Sequence, residues 1–386
     1  MRIEIDAALI GAGSLSTWLA NYLSKAGLRV VVFDCSDPFS GSTTKSAWLW
    51  SGLFVSNPTV AALTMAGRDL FRHFEAERGK RISRPIKVVY TIPADGWTKR
   101  QAELDQIAGI TPQKDFWTAS AAEVQSLLPG IPKTELVGAV IENGFRFDVP
   151  ELGRQLTASI EERGGRVLAR TIVDGEIRRQ NGRWEIPTTG GIISTPIVVN
   201  GTGAVGDHIG VLFGVRPVGL IPTKRHRRIF TVPPGTRLPS PDLFVFFPDF
   251  YIATEACGTR LMASGADETP AHPLDTTPDG KETGRIRELM QKRLGIEIMP
   301  GDFVTAGHRT YVHDRKPVIG PDDCVPGYFH LLAPHGYGVQ GGPAMALVLA
   351  HQILGKEVPE VVAKYGFNFA DVAVERLRTP EVVTTE

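Results

Sequence analysis

The residues best placed to do chemistry are two glycines, an acid and the small residues around them. Gly11-Ala12-Gly13-Ser14-Leu15-Ser16 follows the apolar run Ala7, Ala8, Leu9, Ile10, and Asp34 lies a little over twenty residues beyond the first glycine. Gly11 lets the chain turn sharply, and Gly13 lets a pyrophosphate come close to the backbone. A helix opening at Ser14 and Leu15 would aim about half a positive charge at the phosphates. Asp34 would then receive the hydroxyls of an adenosine ribose. The third glycine of this fingerprint, which permits close packing of helix on strand, is Ser16 here. The spacing reads as a dinucleotide site and does not by itself separate a nicotinamide from a flavin.

Three further groups have chemical promise. The loop from Ser36 to Thr44 is rich in hydroxyls, Ser42 and Thr43 among them, and runs into Lys45-Ser46-Ala47-Trp48-Leu49-Trp50. Hydroxyls and open amides suit phosphate and a planar polar ring, and tryptophans at i and i+2 suit one wall of a flat ligand. In Thr223-Lys224-Arg225-His226-Arg227-Arg228, strand alternation puts Arg225 and Arg227 on one face and Lys224, His226 and Arg228 on the other. That tract is either a solvated sheet face or a cationic wall over an anionic substrate. Asp242 to Thr254 is dense in aromatics, and Tyr251 is the one with a polar tip to offer. Metal chemistry is not expected: the nine histidines form no HExxH or HxxxH pair, and the three cysteines, Cys35, Cys257 and Cys324, are scattered without a CxxC.

The elements that must position these groups follow from periodicity. Ala7 to Ile10 reads as a strand. Trp18, Leu19, Tyr22 and Leu23 then continue a helix to Gly27, and Leu28 to Phe33 is a second strand closed by Asp34, a complete βαβ unit. Helices are expected at Val60 to Glu77, Ala121 to Leu128 (stopped by Pro129-Gly130), Glu151 to Arg163, Glu282 to Leu294 and Ala344 to Leu354. Strands are expected at Lys87 to Ile92, Val167 to Ile172, Ile197 to Val199, Leu220 to Ala266 in alternating pieces, and Tyr328 to Leu332. Two more glycine turns follow strands: Asn200-Gly201-Thr202-Gly203, and His335-Gly336-Tyr337-Gly338-Val339-Gln340-Gly341-Gly342. With 386 residues, 42% of them hydrophobic, the chain can bury more than one core. Its 42 basic and 42 acidic residues balance, so no overall field recruits nucleic acid or an anionic membrane. The charged start (Arg2, Glu4, Asp6) is unlike a signal peptide, and no apolar run reaches transmembrane length, so a cytoplasmic protein is expected.

Taken together, IGAGSLS with VVVFD, STTKSAWLWSG, IVVNGTGAVGD, and GHRTYVHDRKPVIGPDD followed by PGYFHLLAPHGYGVQGGPA resemble the D-amino-acid oxidase superfamily of FAD enzymes nearly end to end. The resemblance is to the branch with glycine oxidase, sarcosine oxidase and D-amino-acid dehydrogenases. The stretch from Arg183 to Leu220 looks closest to D-arginine-dehydrogenase-like members. It implies an α/β protein in which a discontinuous Rossmann-like FAD domain (1–83, 142–215 and 304–386) carries an inserted, mainly antiparallel sheet domain (84–141 and 216–303). It also implies that FAD lies along the first βαβ unit and touches Ser42, Thr43, Lys45, Ser46, Trp48, Leu49 and Trp50. Further cofactor contacts would come from Gly203, Gly307, Arg309 and the turn Gly336, Tyr337, Gly338, Val339, Gln340, with Val173 passing the adenine.

In this resemblance Arg309 holds the substrate carboxylate, Tyr251 assists it from the roof, and Arg225 faces the same space. The implied reaction is hydride transfer from Cα of a D-amino acid or related secondary amine to flavin N5, and the imino acid then hydrolyses to a 2-oxo acid. Lys45 stands where relatives commonly have arginine, Leu49 and Trp50 replace more polar residues, and no cysteine in GHRTYVHD offers a covalent link, so dissociable FAD is expected. Leu261-Met262-Ala263-Ser264-Gly265 holds no lysine for oxygen, which points to a dehydrogenase with another acceptor, such as a quinone. Two other readings keep the fold: oxidation of a 2-hydroxy acid, and a flavin-binding, non-catalytic subunit working with a partner chain.

Overall fold

In the computed structural model, residues 2–93, 95–107, 109–111, 115–128, 136–299 and 303–378 are described. A six-stranded sheet gathers the chain's first, middle and last parts in the order Val318–Pro321, Tyr328–Leu332, Ile197–Asn200, Ala7–Ile10, Val30–Phe33, Arg166–Leu168. All neighbours are parallel except the outer pair Val318–Pro321 and Tyr328–Leu332. Parallel strands buried on both faces must be apolar throughout, and Ala7–Ile10 and Val30–Phe33 are buried at every position. The helix Ser14–Lys25 packs against Val149–Glu161 and Gly342–Ile353, and Leu19, Leu23, Leu152, Leu156 and Leu349 share one core there. A four-stranded sheet with Arg2–Glu4 at one edge lies beside it.

A ten-stranded sheet makes up most of the remainder. Along it run Thr269–Pro270, Ile221–Thr231, Arg260–Ser264, Tyr251–Thr254, Leu243–Phe246, Ser83–Ile92, Gly138–Phe147 and Leu49–Trp50. Phe303–Tyr311 pairs with Ile221–Thr231 and Phe116–Ser120 with Gly138–Phe147. The amphipathic helix Gly280–Leu294, capped by the Asp279 side chain, lays Ile286, Met290 and Leu294 on one face of this sheet. The other face turns toward the glycine turns of the first sheet.

Most expected elements are present, but several differ, among them the strand expected from Lys87, which begins at Ser83, and the strand Gly138–Phe147, which was not anticipated. The strand expected to reach Ile172 stops at Leu168, because Arg170 adopts φ 51° and turns the chain. The helix Trp97–Ile107 and the strand Phe116–Ser120 were not anticipated; their sequences carry few buried residues to betray them. Pro129 and Gly130, expected to stop the helix now seen at Ala121–Leu127, lie outside the described residues.

Candidate functional site

The site begins where two glycine turns meet. Gly11 has φ 92°, and a Cβ there would lie 2.7 Å from the Gly201 carbonyl oxygen. Only glycine gives both the conformation and the room. Ser16, the departure from the fingerprint, is accommodated from the opposite side: it is fully buried, and its side chain occupies the space a Cβ on Gly201 would need. The glycine required for close packing has in effect moved to the turn that ends the neighbouring strand. Ser16 Oγ has no hydrogen-bond partner among the described residues.

The helix Ser14–Lys25 starts at Gly13 with no cap from that residue's side chain, which leaves the amides that follow Ser14 open to an anion. Ser14 N donates to Thr43 Oγ1 at 3.2 Å and Ser14 Oγ to the Gly338 carbonyl at 3.1 Å, tying the first turn to the hydroxyl loop and to the last glycine turn. Asp34 is fixed by Ala12 N at 2.7 Å on one oxygen and by Ser36 N and Oγ, both at 2.9 Å, on the other. A carboxylate has about four acceptor positions, so this one is oriented and still able to accept from a diol.

From there a cavity of about 320 Å³ extends between the two large sheets. It is lined by Gly11, Gly13, Ser14, Leu15 and Asp34, by Ser42, Thr43, Lys45, Ser46, Trp48 and Leu49, and by Gly203, Gly307 and Arg309. Gly336, Gly338, Val339 and Gln340 line it too, and the ten-stranded sheet contributes Arg225, Phe244, Phe246 and Tyr251. The helix Gly342–Ile353 opens at the end of this last turn, also without a side-chain cap.

Three expected site residues are elsewhere. Trp50 is a correction: it is buried in the core, its ring stacked on Phe145 at 5.1 Å and its Nε1 donating to the Thr64 carbonyl at 3.0 Å. The expectation assumed strand alternation from Trp48, but Trp48 has φ 58° and the strand begins only at Leu49, so the two indoles do not share a face. Tyr337 is turned inward against Phe54, at 5.5 Å between rings, and does not line the cavity. Val173 forms a bridge with Thr188 beside the small sheet and is not among the lining residues.

Arg309 sits on the strand Phe303–Tyr311 with its guanidinium against Gly336, where a Cβ would lie 2.6 Å from Nε. The guanidinium also lies over the Phe54 ring at 5.5 Å. Burial works against its charge, but the phenols of Tyr251, Tyr311 and Tyr337 more than offset this, and its pKa is raised. Arg225 faces the same cavity, and its pKa is lowered by burial and by the Arg309 charge. Its Nε has no partner among the described residues. Glu268, on the segment outside, accepts from Tyr311 Oη at 2.5 Å, from Arg225 at 3.4 Å and from Arg315 at 3.4 Å, and lies 3.9 Å from Arg309. Its carboxyl is held below the usual range, since Tyr311 and the three arginines outweigh the effect of its burial. Burial lowers the pKa of Lys45.

The basic tract is not a solvated face. Its outward side fastens the segment 266–279: Lys224 pairs with Asp275 at 2.6 Å, and His226 Nδ1 meets Asp267 at 2.7 Å while its Nε2 accepts from Asp279 N at 2.7 Å. That segment brings Pro273 and Thr276 over the cavity. On the inward side Arg227 donates to the Ser46 carbonyl at 2.7 Å and stacks over Trp48 at 5.3 Å. The sequence reading missed Phe54, which stacks on Phe246 at 5.2 Å, and the turn residues Thr202 and Pro273. Phe246 stood in the aromatic stretch already singled out, but nothing local marked Phe54. Among the described residues no cluster of histidine, cysteine or acids could hold a metal, and no helix is long and apolar enough to cross a membrane.

The family model described as DAO, FAD dependent oxidoreductase, matches residues 6–352. Mouse (Mus musculus) mitochondrial dimethylglycine dehydrogenase is 22% identical over 388 residues, covering 92% of this chain and 43% of the mouse protein, so the chain spans less than half of that relative. Glycine oxidase from Geobacillus kaustophilus is 22% identical over 372 residues, covering 92% of this chain and 95% of the enzyme. Among solved structures, L-proline dehydrogenase from P. horikoshii superposes with a TM-score of 0.79 at 19% identity, covering 94% of this chain and 96% of that one.

Proposed function

The chain belongs to the DAO family of FAD-dependent oxidoreductases, and we propose that it oxidises the C–N bond of an amino acid, of D configuration, or of a related secondary amine that carries a carboxylate. The observation that carries this reading is the half-buried side chain of Arg309, its guanidinium packed against Gly336 in the same cavity as the Gly11 and Gly13 turn. The residues fit FAD: an uncapped helix start for the pyrophosphate, an oriented carboxylate for the ribose, and an aromatic and glycine-lined cavity beyond. We take it to be bound without a covalent link, since none of the cysteines lines the cavity. When bound, it supplies the acceptor for a hydride from the substrate Cα.

The chain's own residues then do three things. Arg309 grips the substrate carboxylate as a charge-assisted fork, and Phe54 and Gly336 hold that fork in one plane, which is the positioning from which such a reaction gains most. Tyr251 offers its phenol to the same carboxylate from the roof. The segment 266–279, fastened by Lys224 and His226, keeps bulk water off the reacting carbon. The imino acid product hydrolyses to a 2-oxo acid after release. Arg225, buried beside Arg309 with Nε unpartnered, supports a substrate with an additional carboxylate, as in an opine. The three exposed free cysteines suit a reducing compartment such as the cytoplasm.

Anaerobic titration of the yellow holoenzyme with a panel of amino acids, secondary amines and 2-hydroxy acids tests this. Bleaching by an amine, with release of ammonia or a smaller amine, is expected; bleaching by hydroxy acids alone would overturn it. Arg309→Met should raise the apparent KM by about a hundredfold, and an unchanged KM would remove Arg309 from its role.

A further inference from the structure

Behind the cavity floor lies an acid that the reaction above does not use. Glu142, in the middle of the strand Gly138–Phe147, is 1% exposed. Its carboxyl faces the turn Ser51 to Phe54: Oε2 accepts from Gly52 N at 2.9 Å and Oε1 from Leu53 N at 3.4 Å. Ser51 Oγ and Tyr90 Oη complete its shell, and these two hydroxyls are themselves hydrogen-bonded. Among the described residues no cation pairs with it: its strand neighbours are Val88 and Phe116, and the Arg100 guanidinium lies over the ring of its partner Tyr90 at 4.3 Å. Burial pushes the carboxyl up to about 7, the hydrogen bonds from Ser51, Leu53, Gly52 and Tyr90 opposing it, while burial moves the Tyr90 phenol well above its usual value.

The turn that Glu142 holds carries one group of the site and meets a second. Phe54 N donates to Ser51 Oγ at 3.0 Å, and the Phe54 ring lies under Arg309. Gln340, which lines the cavity, accepts from Ser51 N at 3.4 Å and donates to the Phe54 carbonyl at 2.9 Å. An ionised Glu142 accepts from both amides and from Ser51 Oγ, and Tyr90 Oη gives its single hydrogen either to it or to Ser51 Oγ. A protonated one must instead donate a hydrogen, and Ser51 Oγ, with one lone pair left beside the one that takes Phe54 N, receives it only by turning its own hydrogen away from Glu142 toward Tyr90 Oη. The two forms therefore hold the turn differently.

We propose that Glu142 is a positioning residue that, through Ser51 and the turn it anchors, makes the grip of Arg309 on a carboxylate stronger when Glu142 has lost its proton. This rests on Arg309 being the carboxylate site. The test uses holoenzyme and benzoate, an unreactive carboxylate that suits a guanidinium between aromatic walls and stays ionised across the range, with binding read from the flavin absorbance. The benzoate Kd of the native protein should fall about threefold or more between pH 6 and pH 8. Glu142→Gln, which cannot ionise, should show no such step, and Ser51→Ala, which keeps the acid and breaks the link, should lose it as well. Glu142→Asp should keep a step.

A flat profile in the native protein would overturn the inference, and so would a step that survives in Glu142→Gln, which would assign it to His308 in the cavity wall. Should Glu142→Gln fail to fold, the native profile and Ser51→Ala decide alone. No benzoate binding at any pH would remove the Arg309 site itself, and the inference with it.

Discussion

Gly67 sits inside the helix Pro58–Arg78, where helix propensity and packing make opposite predictions for alanine. Replacing a helical glycine by alanine gains about 1 kcal/mol of intrinsic stability. At Gly67, however, a Cβ would lie well inside 3.0 Å of the Gln340 carbonyl oxygen, and 3.2 Å from Gly341 Cα. Those are backbone atoms with no rotamer to yield, and they belong to the turn whose residues line the cofactor cavity and open the helix Gly342–Ile353. Overpacking of this kind costs about 1–3 kcal/mol, so the clash outweighs the propensity. Gly67→Ala should be destabilised by about 1–2 kcal/mol in denaturant unfolding of the holoenzyme.

The same displacement should also weaken FAD. A shift of a fraction of an ångström at the 338–341 turn should lower the affinity about tenfold, read from the recovery of flavin fluorescence on dilution. Gly284 provides the control. It lies in the helix Gly280–Leu294 with nothing within 4 Å of its Cβ position, so Gly284→Ala should show the propensity gain alone, about 1 kcal/mol of added stability. If Gly67→Ala behaved like Gly284→Ala, more stable and with unchanged FAD affinity, the packing argument for that turn would be refuted.

Two more outcomes follow from the site's charges. Glu142 has a folded pKa of about 7 against 4.5 in the free side chain, so between these values the folded protein holds a proton that the unfolded chain releases. Its stability contribution is full below about 4.5 and is lost as pH rises through about 7, by roughly 3 kcal/mol; Glu142→Gln should flatten that slope in unfolding experiments at pH 5 and pH 8, and an unchanged slope would mean that the acid is not poised there. Arg225→Met should weaken the binding of amino dicarboxylates about tenfold or more while leaving monocarboxylates near their native affinity; equal losses for both would mean that Arg225 and Arg309 share one carboxylate and that the additional one has no partner.

Much of the cofactor half was legible because its signals are local. A strand, a turn that needs glycine and a helix occupy adjacent residues, and Asp34 closes the next strand. The meaning of Ser16 was not legible, because the compensating glycine is residue 201, in the turn just past the strand paired alongside. Trp50 was misplaced for a comparable reason: a period of two holds only while φ stays extended, and nothing in the sequence announced that Trp48 would not. Gly67 stands at helical spacing with Leu63 and Leu70, and nothing local marks it as more than another position on that face. What fixes it as glycine is a carbonyl more than 270 residues away.

The strand Ile221–Thr231 shows where sequence reasoning stops and why. Alternation correctly divided Arg225 and Arg227 from Lys224, His226 and Arg228, but it offered solvent or substrate as the only explanations for either face. The structure gives each face a different task. The outward cations Lys224 and His226 meet Asp275, Asp267 and the Asp279 amide on a segment some forty to fifty residues later, and fasten it across the cavity. Inward ones, Arg225 and Arg227, face Glu268, Ser46 and Trp48. Buried charge on both faces of one strand is tolerable only because almost every guanidinium, ammonium and imidazole there has a carboxylate, a carbonyl or an aromatic face to meet. Nε is without a hydrogen-bond partner among the described residues in Arg225 and Arg227 alike, and of these two it is Arg225 that lines the cavity beside Arg309; an unmet buried donor beside a site that takes anions is where a ligand's own charge has the most to contribute.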